Sequence, residues 1–167
     1  MTYATATNLL EQFGAEEIAQ RADRGTPRLV TAVMLQTAAD GGSMGAYTAP
    51  EQAATASALA LINSKLLDAD SEINGYLATR YPVPLVTVPR LIRVTACDLA
   101  RYALYDDKSP EQITQRYKDA VKRLEAIASG KSNPGVGDAG SKPAANDAAQ
   151  ISSTTPVFRR GEAGGFI

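Results

Sequence analysis

Asp68-Ala69-Asp70-Ser71-Glu72 is the densest run of oxygen donors in the chain. On a helix, residues four apart share a face, so Asp68 and Glu72 would stand together and could hold a hard cation. The solvated face of an amphipathic helix carries the same spacing, and the pair is read as surface charge; no catalytic, metal-binding or cofactor-binding residue is assigned. Histidine is absent, which removes the commonest general base and metal ligand at neutral pH. No glycine-rich phosphate loop, paired CxxC or nucleophile elbow occurs either. The expectation is therefore a protein that is not an enzyme and needs no cofactor.

A second group of polar residues interrupts an otherwise apolar stretch: Arg93, Asp98, Arg101 and Tyr105. Asp98 and Arg101 are three apart and could form a local ion pair. The alternative is a contact across a subunit boundary, where a partly buried arginine gives orientation as well as energy. These four residues, with Arg80 and Tyr81 nearby, are the candidate subunit-interface set. Cys97 lies in the same stretch and is the only cysteine, so it is read as a small buried hydrophobe with no intrachain disulfide.

Helices must position these groups. Leu59, Ile62, Leu66, Ala69, Ile73 and Tyr76 recur at spacings of three and four, one stripe of a long helix. Thr48 and Glu51 give it a capping box, with Pro50 in the first turn, and it is expected to run to about Thr79. Tyr81-Pro82-Val83-Pro84-Leu85 then forces a corner, since each proline fixes its own φ and biases the residue before it towards extended backbone. From Pro89 to about Tyr105-Asp106-Asp107, apolar residues wrap round more than half of a second helix, the pattern of a segment buried among several neighbours.

Shorter helices surround these two. Thr5 or Thr7 caps a first, carrying Leu9, Leu10 and Phe13 and closed by Gly14. Ala15 to Ala22 forms a second, with Ile18 and Ala19 inward and Glu16, Glu17, Gln20 and Arg21 outward. Thr26-Pro27 predicts the start of a third and Asp40-Gly41-Gly42 its end, although Leu29, Val30, Val33, Met34 and Leu35 could also make a strand. The last begins at Ser109-Pro110 with Gln112 as capping partner, sets Ile113, Tyr117, Ala120, Leu124 and Ile127 on one stripe, and closes at Gly130.

The fold expected is all-α: a compact helical domain over residues 1–130, with one long helix and a buried central helix, followed by a flexible tail over residues 131–167. Lys131 to Gln150 has Val136 as its only large aliphatic residue and cannot bury enough surface to order itself. Val157, Phe158, Arg159, Arg160, Phe166 and Ile167 then return large and cationic groups to that leash, as candidate partner-binding anchors. Net charge is −1, so no overall positive field favours nucleic acid, and no apolar run approaches the roughly 20 residues of a membrane span. With no signal peptide in view, synthesis in the cytoplasm is expected.

Several of these segments, read together, resemble the Mu-like bacteriophage neck protein family. They are Asp70-Ser71-Glu72-Ile73-Asn74-Gly75-Tyr76-Leu77, Arg80-Tyr81-Pro82-Val83-Pro84-Leu85, Val88-Pro89, Ala96 to Tyr102, Tyr105-Asp106-Asp107, Arg116 to Ala120, and a tail with Phe158-Arg159-Arg160 and Gly165-Phe166. Residues 26–50 are longer than that likeness leads one to expect. The resemblance implies a virion protein of the neck, a head-tail connector or adaptor. It would form a twelve-fold ring beneath the portal protein, extend the DNA channel without sequence-specific binding, and receive the next neck or tail protein. A head-completion (stopper) or tail-completion role in the same neck is the alternative, and a small helical regulator of DNA packaging is a third reading.

Overall fold

The computed structural model describes residues 2–135, so the six anchor residues between Val157 and Ile167 lie outside the described residues. Among the described residues six α-helices are present: α1 Ala6–Phe13, α2 Ala15–Ala22, α3 Ala32–Ala39, α4 Ala49–Leu77, α5 Arg90–Leu104 and α6 Glu111–Ala128. One 3₁₀ turn, Asp106–Lys108, joins α5 to α6, and the described residues contain no strand. The expected all-α architecture is what the chain adopts.

The spine is α4, whose 29 residues extend for about 44 Å at 1.5 Å per residue. Its Thr48–Glu51 capping box forms as the spacing predicts, the Glu51 carboxylate accepting from both the amide and the hydroxyl of Thr48 at 2.8 Å. These two bonds hold the Glu51 carboxyl below its ordinary pKa. Ile62, Leu66, Ala69, Ile73 and Leu77 form the buried stripe, and α5 packs along it more extensively than any other helix. Ile92, Ala96, Cys97, Leu99, Ala100 and Leu104 of α5 are all buried, which makes it the central helix. Ala120, Leu124 and Ile127 of α6 close the far side, while Tyr117 stacks on Tyr102 with ring centroids 4.2 Å apart. Burial also raises the pKa of Cys97 to about 12, with Asp98 adding to the rise, which leaves an inert thiol.

Three details depart from the sequence reading. The third helix starts at Thr31, whose hydroxyl accepts from Met34 N–H, and not at Thr26-Pro27. Asp23 is the cause: its buried carboxylate accepts from the amides of Gly25, Leu29 and Val30 at 2.7–2.9 Å, so those amides are taken by a loop. Burial alone would raise the Asp23 pKa, but the three bonds and the Arg28 charge bring it below the usual carboxylate range. The last helix starts at Glu111 with Pro110 in the cap position, and Ser109 makes no side-chain cap. Glu17, expected outside, turns into the protein.

Gly14 serves two helices. Its φ of 87° lets one residue close α1, through an N–H to the Leu10 carbonyl, and open α2 without a loop between them.

Tyr3 ties the N-terminal segment to the spine and the corner at once. Its amide donates to Asp70 Oδ1 at 3.0 Å, its hydroxyl donates to Asn74 Oδ1, and the same oxygen accepts from the Leu85 amide at 3.2 Å. Tyr3 and Leu85 are both buried, so water cannot replace these bonds. Tyr3→Phe removes the acceptor and leaves the Leu85 amide unpaired; urea unfolding should show a loss of about 1–3 kcal/mol. An unchanged urea midpoint would mean that the hydroxyl bridge is not structural.

Candidate functional site

The polar residues of α5 are organised around a carboxylate taken out of water. Asp98 has a side chain only 4% exposed in the middle of the most buried helix, where an unpaired charge would be costly. Two arginines of α6, seven residues apart and so on one face, meet it there: Arg123 at 3.1 Å from Oδ2 and Arg116 at 3.5 Å from Oδ1. Burial raises the Asp98 pKa, and Arg116, Arg123 and Arg101 pull it back part of the way. The local Asp98–Arg101 ion pair expected from their spacing does not form. Arg101 is instead held bidentately by Glu17 of α2, Nε to Oε1 at 2.7 Å and Nη2 to Oε2 at 2.8 Å, a planar fork that a lysine could not copy.

Tyr105 joins the same carboxylate, its hydroxyl donating to Glu17 Oε1 at 2.7 Å, and burial together with that bond raises the phenol pKa. Aromatic faces support the cations: Arg101 lies 4.3 Å and Arg116 5.5 Å from the Phe13 ring centroid, and Arg21 lies 4.4 Å from that of Tyr105. Beyond α5, Arg24 pairs with Asp106 and donates to the Leu104 carbonyl. The result is a continuous belt of charge and aromatic rings that joins α1, α2, α5 and α6.

Of the six residues proposed for a subunit boundary, Asp98, Arg101 and Tyr105 come together in this belt. Arg93 is exposed on α5, and Tyr81 is half-buried against the core at the proline corner. Arg80 is exposed and lays its guanidinium over Gly130, where a Cβ would strike it. The belt's other members, Phe13, Glu17, Arg21, Arg24, Asp106, Arg116 and Arg123, had no site role assigned from the sequence. One signal was available for two of them, since Arg116 and Arg123 each precede a stripe residue of α6, where a long side chain can reach round the edge of an apolar face.

The Asp68–Glu72 run is divided among separate tasks. Asp68 pairs with Lys65 at 3.6 Å, Glu72 accepts from the Tyr117 hydroxyl at 3.3 Å, and Asp70 points inward to Tyr3. Among the described residues no three of Asp, Glu and Cys converge as metal ligands would. What the belt can do is orient helices and offer guanidinium groups outward, since the side chains of Arg116 and Arg123 are 56% and 40% exposed.

That exposure makes the cluster asymmetric to mutation. Asp98→Asn leaves two arginines that can turn to water, and the expected cost is below about 1 kcal/mol, whereas Arg116→Ala with Arg123→Ala strands a buried carboxylate and should cost about 3 kcal/mol at pH 7. The sign with pH follows. A carboxyl with a raised folded pKa binds its proton more readily when folded, so its contribution to stability is present at low pH and is lost as pH rises through the folded pKa. The double variant should therefore regain part of its deficit relative to the wild type between pH 7 and pH 5 in urea titrations, and Asp98→Asn in the same background should remove that recovery. Equal costs for the two changes would show that Asp98 is not held by these arginines.

Comparison with known proteins places the chain. The profile of the family described as Bacteriophage Mu, Gp36 matches residues 3–153. Gene product J of Escherichia phage Mu is 39% identical over 106 residues, 63% of this chain and 75% of that protein. Mu-like prophage FluMu protein gp36 of Haemophilus influenzae is 34% identical over 108 residues, 65% of this chain and 77% of that protein. With a match that takes in all six helices, this chain belongs to the Bacteriophage Mu, Gp36 family of Mu-like phage proteins.

Proposed function

We propose that this protein is a structural component of the virion neck: a head-tail connector, or adaptor, that assembles as a ring of twelve copies under the portal protein and links the capsid to the tail. The observation that carries the reading is the family match over residues 3–153, together with the likeness of the corner and central-helix segments to neck proteins. The helical body suits the task. A long spine crossed by shorter helices makes a wall that can stand beside copies of itself, and heterologous contacts close into a ring when the rotation allows. No helix among the described residues is long and apolar enough to cross a membrane.

In this reading the protein works without catalytic turnover. It is made in the host cytoplasm, is built into the neck, and binds the portal on one side and the next neck or tail protein on the other. Genomic DNA passes through the ring without base-specific contacts, which suits a chain of net charge −1 that would not grip phosphates strongly. Val157, Phe158, Arg159, Arg160, Phe166 and Ile167 serve as anchors that engage a neighbouring neck component, by strand addition or by filling a groove.

Phage lacking the protein should accumulate separate heads and finished tails, counted by electron microscopy; infectious particles without it would overturn the reading. Deleting residues 150–167 should leave the thermal melting of the helical body unchanged while heads and tails fail to join. Normal joining by that truncated protein would remove the anchor role and leave the connector role standing.

A further inference from the structure

The exposed large hydrophobic residues among the described residues mark three places, one of them Leu67 on α4 and the other two the proline corner and α3. Val86 is 88% exposed and Val83 37% exposed at the proline corner, and Val33 is 66% exposed on α3. The corner is preorganised: Pro82, Pro84 and Pro89 restrict its backbone, Leu85 is buried beneath it, and the Leu85 amide is fastened to the Tyr3 hydroxyl. Val86 is thus a stiff apolar knob, and a stiff knob loses little freedom on docking. Val33 stands at a shallow cleft of ≈ 320 Å³ lined by Ala15, Ala32, Gln36, Thr37 and Asp40. Small and apolar groups form its walls, and a carboxylate stands at its rim.

Charge distinguishes the corner from the cleft. Arg80, Arg90 and Arg93 are exposed on either side of the corner, and none forms an ion pair among the described residues. At the cleft, Asp40 is exposed, and so is Glu16, which follows Ala15 on the edge. The bias extends through the chain: residues 1–79 hold four basic and nine acidic side chains, and residues 80–131 hold ten basic and six acidic. A surface of one sign next to an apolar knob and the opposite sign next to an apolar cleft is the complementarity that steers and registers two partners.

The same copy cannot join them. Ala39, at the C-terminal end of α3, shares a cleft with Leu59, Asn63 and Leu66 of α4, while the corner follows Leu77, so that end of α3 is roughly 17–27 Å from the corner along a straight helix at 1.5 Å per residue. We propose that the Val83–Val86 corner of one copy seats in the Val33 cleft of the next copy, with Arg80 and Arg90 towards Asp40 and Glu16. Because knob and cleft are different surfaces of one chain, the contact is heterologous and repeats from copy to copy, as a ring requires. The proposal rests on the ring reading above and specifies which faces meet.

Cross-linking of the full-length protein tests it. Val33→Cys and Val86→Cys each replace an exposed side chain, and buried Cys97 does not compete. Oxidising a mixture of the two variants should give a cross-linked pair, while either variant oxidised alone should stay uncross-linked. The chain carrying both substitutions should give a ladder of multimers, in solution and in purified virions. Val86→Asp should weaken self-association by tenfold or more in sedimentation velocity, with an unchanged helical circular-dichroism spectrum. Rings or virions that contain several copies but give no Val33–Val86 cross-link would overturn this contact and leave the ring reading intact. A chain that stays monomeric at every concentration, and is present in virions without neighbouring copies, would overturn both.

Discussion

A carboxylate that leaves water must be met by a cation or by hydrogen-bond donors, and in this protein that requirement falls at the centre of the most buried helix. Asp98 lies on α5 between Cys97 and Leu99, and α5 is the helix on which the spine and α6 both pack. Apolar contact alone would let α6 rotate or slide on this surface, because hydrophobic attraction is non-directional. Arg116 and Arg123, two turns apart, convert that freedom into one register by meeting the same carboxylate. One turn further along α5, Arg101 fixes α2 through Glu17. The charge on the central helix thus selects one arrangement from the several that the apolar stripes would allow.

This division of labour explains what was legible in the sequence. The stripes of α4, α5 and α6 could be read directly, because burial follows a 3.6-residue period and Leu66, Ile73, Leu99 and Leu124 sit where that period puts them. Local caps could be read for the same reason, Thr48 with Glu51 being three residues apart. The charge partners could not. Glu17 and Arg101 are separated by 84 residues, Glu17 and Tyr105 by 88, and Tyr3 and Leu85 by 82, so no window along the chain contains both members. Asp98 and Arg101 share a window, and the spacing suggested a pair that longer-range geometry replaced.

The α3 start failed for a related reason. Thr26-Pro27 is a proper local signal, yet the amides that would have followed it are claimed by Asp23 from the preceding segment. A side chain that satisfies several backbone amides competes with a helix for the same donors, and here the loop prevails until Thr31 offers a new cap. The resemblance to neck proteins rested on other ground: specific residues at the corner and in the central helix, the segments that make the Tyr3 bridge and the Asp98 cluster. Several of the segments on which that resemblance rested are therefore also those that fix long-range geometry.

Of the three buried carboxylates, Asp70 and Asp98 tie together segments that chain connectivity leaves apart, whereas Asp23 closes the loop that follows it. Their chemistry differs. Asp23 is held below its ordinary pKa by backbone amides, whereas burial raises Asp70 and Asp98. Opposite shifts mean opposite slopes with pH: Asp23 adds stability that is lost as pH falls through its folded pKa, while Asp70 and Asp98 add stability that is lost as pH rises through theirs. The two slopes therefore oppose one another as the pH changes.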